Sequence, residues 1–226
     1  MCETHLSGND TIDLPGYKWL GFNRQLQHTL APWTAGGVGM FIKHDLYNSF
    51  DISIVDRSYD GILGVKFAHK VSKYEFIVFS CYLPPQNSTW GRDAVSFYSH
   101  LLSQIYVNSD CDVIISGDLN SRIGSLQDTV PEIDNVINRI VLDKTYNQHG
   151  QCLIDFLHES KLCTVNGRIS NDKDDYTFIA GRGLSVVDYF LIQHDMLKSC
   201  NSFSVKACSD IIDENGLHGL INARSK

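Results

Sequence analysis

The stretch "CDVIISGDLNSRIG", residues 111–124, sets an aspartate and an asparagine two residues apart at the exit of an apolar run. Val113, Ile114 and Ile115 are β-branched and Gly117 breaks the run, which reads as a buried strand stopping at the glycine. If extended geometry persists past it, Asp118 and Asn120 point to one side while Leu119 turns toward the core. A group that can take a proton then stands beside one that orients by hydrogen bonds. The competing reading is an Asx-type turn closing the strand, the common fate of an isolated Gly-Asp-x-Asn. Further polar residues stand at the edges of apolar strands: Glu3 in "CETH", Tyr82 in "CYLPP" and Asp188 in "SVVDYFLI". Asp188 would be costly to bury alone in an apolar strand, so a partner is expected for it.

The elements that must carry these residues follow from periodicity. Strands are expected over Val38 to Ile42, Ile52 to Val55, Ile62 to Phe67, Glu75 to Tyr82, Val113 to Ser116, Leu162 to Val165, Tyr176 to Ile179, Val186 to Ile192 and Phe203 to Ala207. Helices are fewer. Asp93 to Val107 repeats apolar residues at helical spacing, and a second amphipathic pattern runs from Gln151 to Ser160. Many strands with a few covering helices predict an α/β (α+β) class, with two packed, mainly antiparallel β-sheets flanked by helices. Ser121 to Asn147 is long and polar, with one helical turn expected near Glu132 to Ile137, and such segments often wall active sites.

At 226 residues and 43% hydrophobic, the chain can bury a substantial core, and nothing in it reads as a linker, so one domain over 1–226 is expected. The first dozen residues have neither a basic start nor an apolar middle, and no apolar run approaches the ~18 residues of a membrane span. A chain that is not secreted and makes no membrane contact is the expectation. Seven cysteines, odd in number and without a C-x-x-C pair, disfavour a disulfide framework and a structural zinc site. Nine histidines show no metal-binding spacing. The net charge of -7 argues against gripping nucleic acid by bulk electrostatics. It leaves room for an enzyme acting on phosphates, whose acidic ligands a bound cation offsets.

In order, "CETH", "GGVGMFI", "CYLPP", "GDLN" and "SVVDYFLI" resemble the endonuclease/exonuclease/phosphatase superfamily. Within it they most resemble the endonuclease domain of LINE-type (non-LTR) retrotransposons, which is similar to apurinic endonucleases and more distantly to DNase I. The resemblance runs from Cys2 to about Ala207 and implies a DNase I-like four-layer sandwich with Mg²⁺- or Mn²⁺-dependent nicking of DNA. Carried over residue by residue, Glu3 matches the magnesium-binding glutamate, a hard oxygen donor suited to that ion. Tyr82 matches the tyrosine that touches the scissile phosphate. Asp118 matches the residue that activates the attacking water, and Asn120 the one that helps position water and phosphate. Asp188 matches the aspartate that orients a catalytic histidine. Thr177 and Ser185 flank an apparent hairpin turn where relatives place hydroxyls near substrate, and Arg182 at its tip could reach a phosphate; ordinary hairpin surface is the competing account. Asn147 and Gly150 match a family segment ahead of a helix, where Asn147 also reads as a turn or capping residue. DNA is the partner implied and no obligate protein partner is; a retrotransposon origin implies action inside the cell, in the nucleus.

The pattern breaks at both ends. Nothing before Glu3 corresponds to the family's first strand, and its terminal Asp-His pair has no match, because Asp210 is followed by Ile211 and His218 is preceded by Leu217. Truncation at both ends is therefore expected, with poor activity, since losing one preorganised donor typically costs ~10²–10³ in rate. The alternatives are a phosphomonoesterase of the same superfamily and a non-enzymatic remnant domain.

Overall fold

The computed structural model describes residues 1–24, 36–88, 93–169, 176–181, 183–207 and 219–225. Its elements in chain order are β1 (Tyr17–Phe22), β2 (Val38–Lys43), α1 (Leu46–Ser49), β3 (Phe50–Asp56), β4 (Ile62–His69), β5 (Glu75–Tyr82), α2 (Ala94–Val107), β6 (Asp112–Asp118), α3 (Gln148–Ser160), β7 (Leu162–Thr164), β8 (Phe178–Ala180), β9 (Gly183–Ser185), β10 (Asp188–Gln193), β11 (Cys200–Ala207) and β12 (Gly219–Ser225). Six of these strands form one sheet in the order β3-β4-β5-β6-β10-β7. Only the β5–β6 pair is parallel, because α2 carries the chain back between those two strands. Asp93 starts that crossover helix by accepting the N–H groups of Val95 and Ser96.

Alternation along the strands divides the sheet between two cores. Ile77, Phe79 and Cys81 of β5, Val113 and Ile115 of β6, and Tyr189 and Leu191 of β10 pack with Phe97 and Leu101 of α2 and Leu153 and Leu157 of α3. The intervening residues face the other way. Phe76 and Val78 join Val38 and Ile42 of β2, while Ile114, Phe190 and Ile192 join Phe203 of β11. The expected packed sheets flanked by helices are thus present, with the β1–β2 and β11–β12 pairs lying opposite the six-stranded sheet.

Several boundaries differ from the sequence reading for identifiable reasons. The strand expected to stop at Gly117 continues through Asp118. Gly117 has φ +153°, and a Cβ there would sit 1.9 Å from the Cys81 carbonyl oxygen, so the glycine allows a close backbone approach rather than a stop. α3 begins at Gln148, ahead of the expected Gln151, because Asn147 Oδ1 accepts the Gly150 N–H at 2.7 Å and caps it. Near Glu132 to Ile137 a single turn closes, with the Ile133 and Asp134 N–H groups on the Val130 carbonyl at 3.2 and 3.1 Å, but it is not helical because Glu132 and Asn135 are left-handed at φ 65° and 51°. β1 and β12 were not anticipated. In β1 the apolar pattern is interrupted by Gly21, which pairs with Gly39, and the Trp19 indole lies over both glycines.

The polar 121–147 segment is held by buried ion pairs in place of regular structure. Asp128 and Arg168, both with fully buried side chains, form a two-pronged pair with 2.8 Å contacts on each carboxylate oxygen. Asp128 also accepts from the Thr164 backbone and hydroxyl, and Arg168 donates to the Ile137 carbonyl, tying the segment to β7. Burial works to raise the Asp128 carboxyl, but its bonds to Arg168 prevail and hold it at about 2. Replacing Arg168 with Met should leave that buried carboxylate poorly compensated and cost ~3–5 kcal/mol of stability. Urea denaturation of the Arg168→Met variant checks this, and a loss close to zero would contradict it.

Candidate active site

Register builds the centre of the site. Tyr82 ends β5 directly beside Asp118, which ends β6, and Asp118 is paired in turn with Asp188, the first residue of β10. All three share the strand parity that faces away from α2 and α3, so their side chains form a row on one face of the sheet. Adjacent strands lie about 4.8 Å apart, which puts the whole row within about 10 Å.

Glu3 reaches this row from the first residues, which run along β2. Met1 and Gly39 exchange backbone hydrogen bonds at 2.7 and 3.0 Å, and the Thr4 and His5 N–H groups donate to the Gly37 and Gly36 carbonyls at 3.3 and 3.0 Å. Between these anchors Glu3 adopts a left-handed φ of 50°, and the Tyr82 hydroxyl donates to its Oε1 at 2.5 Å. Arg24 flanks the group: its Nε donates to Asp60 Oδ2 at 3.1 Å, and a Cβ on Gly36 would lie 3.4 Å from both the guanidinium and the Tyr82 ring.

Burial, then the charges of Asp188 and Glu3, push the Asp118 carboxyl up to about 8, against the pull of hydrogen bonds from Asn120. Burial and the bond to Glu3 likewise drive the Tyr82 phenol well above its ordinary value. Desolvated carboxylates that repel one another are the environment a divalent cation neutralises, and their oxygen donors suit Mg²⁺ or Mn²⁺. Among the described residues no three acidic, histidine or cysteine side chains are grouped so that they could hold a metal ion together. Mg²⁺ is commonly held through one or two carboxylates, with its remaining positions filled by water and substrate phosphate.

The other sequence candidates divide. Asn120, left-handed at φ 44°, donates its N–H to Asp118 Oδ1 at 2.9 Å and its side-chain amide to the Leu83 carbonyl at 2.9 Å. The Asx turn that competed with the chemical reading is therefore present, and it is what braces the Asp118 carboxylate. Asn147 donates to the Asn120 carbonyl as well as capping α3. Thr177 is buried, and its Oγ1 accepts the Val187 and Asp188 N–H groups at 3.0 Å each, so it fixes the start of β10. Ser185 is buried opposite Phe178 in the β8–β9 hairpin, whereas Arg182, like His218 and Asp210, lies outside the described residues. Sequence reasoning missed Arg24, Asp60 and Asn166. Asn166 is buried, donates to the Asp188 carbonyl at 3.1 Å and accepts from Phe190 N–H at 3.1 Å. It follows the apolar "LCTV" run as Asp118 follows its own, which was the available signal.

Comparison with known proteins gives the family and the fold. A family model described as endonuclease-reverse transcriptase matches residues 76–210, more than half of the chain, and the chain belongs to that family, within the endonuclease/exonuclease/phosphatase superfamily. The match spans Tyr82, Asp118, Asn120 and Asp188 and begins after Glu3. Among solved structures, the endonuclease domain of TRAS1, a telomere-specific non-LTR retrotransposon, superposes with a TM-score of 0.60 at 18% identity, covering 94% of this chain and 80% of that one. The AP endonuclease LMAP of Leishmania major gives 0.68 at 9% identity, covering 97% and 75%. The 3′ phosphatase NExo from Neisseria, bound to a product DNA hairpin, gives 0.61 at 13% identity, covering 100% and 87%. At these identities the likeness is one of fold. No curated protein matches the sequence.

The raised Asp118 carboxyl has a consequence for stability without a cation. The folded chain keeps that proton between pH 3.8 and about 8 while the unfolded chain has lost it, so this group's contribution falls as pH rises through that window. In EDTA, the wild type should lose thermal stability from pH 6 to pH 9 more steeply than Asp118→Asn, in ~one-unit pH steps. Parallel melting curves for the two proteins would contradict the assignment.

Proposed function

We propose that this chain hydrolyses phosphodiester bonds in DNA with Mg²⁺ or Mn²⁺, nicking one strand in the manner of a retrotransposon endonuclease. The observation that carries the reading is the row Tyr82, Asp118 and Asp188 with Glu3 hydrogen-bonded to its end. Glu3 is the primary cation ligand, and the neighbouring carboxylates add the negative field that retains the ion. When bound, the cation neutralises phosphate charge and polarises the phosphoryl oxygen. Asp118 takes the proton of the attacking water, and its raised proton affinity suits a base working near neutral pH. Asn120 holds Asp118 Oδ1 in a fixed orientation through its N–H. Tyr82 transfers its hydroxyl hydrogen bond from Glu3 to a phosphate oxygen, and in-line attack leaves a 3′-hydroxyl and a 5′-phosphate. Beyond burial, the charge of Asp188, paired with Asp118 across the strands, raises the proton affinity of that base. DNA as substrate is supported by the family's description as endonuclease-reverse transcriptase and by the DNA hairpin held by the Neisseria relative. A genomic target places the action in the nucleus.

Nicking of supercoiled plasmid in Mg²⁺ tests the reading. Asp118→Ala should lower the rate ~10²–10⁴-fold and Tyr82→Phe ~10²-fold. Release of phosphate from inositol polyphosphates without any nicking would select a phosphomonoesterase instead.

A further inference from the structure

We propose that Cys2 is a positioning residue of the cation site, its thiol locking the Glu3 segment onto the strand ends that carry Tyr82 and Asp118. The proposal rests on the reading of Glu3 and Asp118 as the residues that hold and serve the cation. The Cys2 thiol donates to the Cys81 carbonyl at 3.0 Å and accepts the Asp118 N–H at 3.3 Å. Each contact is adjacent to a site residue: Cys2 precedes Glu3, Cys81 precedes Tyr82, and Asp118 is touched directly. One sulfur therefore sets the separation of three groups that come from distant parts of the chain.

The backbone explains why an anchor is needed there. Glu3 is left-handed at φ 50°, a conformation that a non-glycine residue keeps only when both flanks are held. On the C-terminal side Thr4 and His5 bond to the Gly37 and Gly36 carbonyls. On the N-terminal side Cys2 is bridged to Val38 and bonded through sulfur to both β5 and β6. Without the thiol, the Asp118 N–H and Cys81 carbonyl lose that shared partner, and the Glu3 segment keeps its backbone bonds to β2 and the side-chain bonds from Ser80 and Tyr82 of β5 but no tie to β6. Groups outside the ligand set orient the ligands of a cation, so a drift of Glu3 away from Asp118 weakens binding. A serine keeps a donor and an acceptor at this place; alanine and valine keep neither.

Calorimetric titration with Mn²⁺, with no nucleic acid present, tests the proposal on wild type, Cys2→Ala, Cys2→Val and Cys2→Ser. Cys163→Ala, at a buried cysteine of β7, reports the effect of a lost core thiol alone. Loss of an outer-sphere hydrogen bond typically weakens metal affinity ~10–100-fold, and Cys2→Ala and Cys2→Val should fall in that range. Cys2→Ser should recover most of the affinity, and Cys163→Ala should bind as the wild type does while melting at a lower temperature. The valine variant fills the space of the thiol, so it serves where the alanine variant does not fold. Unchanged Mn²⁺ affinity in the folded alanine or valine variant, or serine no better than either, would overturn the role of Cys2. Failure of the wild type itself to bind Mn²⁺ would instead overturn the cation reading, and this proposal with it.

Discussion

The close approach of β6 to β5 at Gly117 is the constraint on which the site depends. With no Cβ on Gly117, the two backbones meet at the Cys81 carbonyl and the parallel register carries on to Tyr82 and Asp118. A slip of one residue would turn every side chain of β6 to the opposite face. The alternation of Val113 and Ile115 against the helices, with Ile114 on the other face, pins the register against such a slip. The same burial that stabilises the sheet therefore determines which face receives Asp118, and β10 brings Asp188 to that face from the other side.

Holding carboxylates together in a desolvated row opposes folding, and the surrounding chain is organised to bear it. The backbone of Asp188 is held by Thr177 at its N–H and by Asn166 at its carbonyl. Asp143 accepts the Val186 N–H and forms a two-pronged pair with Arg122, so the polar 121–147 segment also braces the entry to β10. The two arginines of that segment, Arg122 and Arg139, are spent on internal partners. In a chain of net charge -7, the neighbouring carboxylates of Asp118, Asp188 and Glu3 make a local field that favours a cation over direct contact with a polyanion.

The strands were legible where burial on both faces or strict alternation marks them. Glu75 to Tyr82 matches β5 to the residue, and the β6 and β10 runs are legible from the β-branched Val113 to Ile115 and the apolar Val186 to Ile192, although β10 starts at Asp188 and not at Val186. The beginning of α3 was not, because it is decided by a side-chain cap at Asn147 rather than by apolar spacing. β1 escaped because a glycine pair covered by Trp19 takes the place of alternating apolar residues. At the site, residues that stand at strand ends could be found from sequence, whereas Arg24, Asp60 and Asn166 act through partners remote in the chain. Asp118 and Asn120 show that a turn and a reactive carboxylate need not be rival readings, since the turn's own hydrogen bond orients the carboxylate.

The central claim is that Glu3 holds a divalent cation beside the Asp118 and Asp188 carboxylates at the end of the β5, β6 and β10 row. An anomalous-difference map from crystals soaked in Mn²⁺ addresses it most directly. A single strong peak in contact with Glu3 and beside the Asp118 carboxylate is the result this account predicts. A map with Mn²⁺ bound only elsewhere, or with the three carboxylates directed to separate faces, would contradict it.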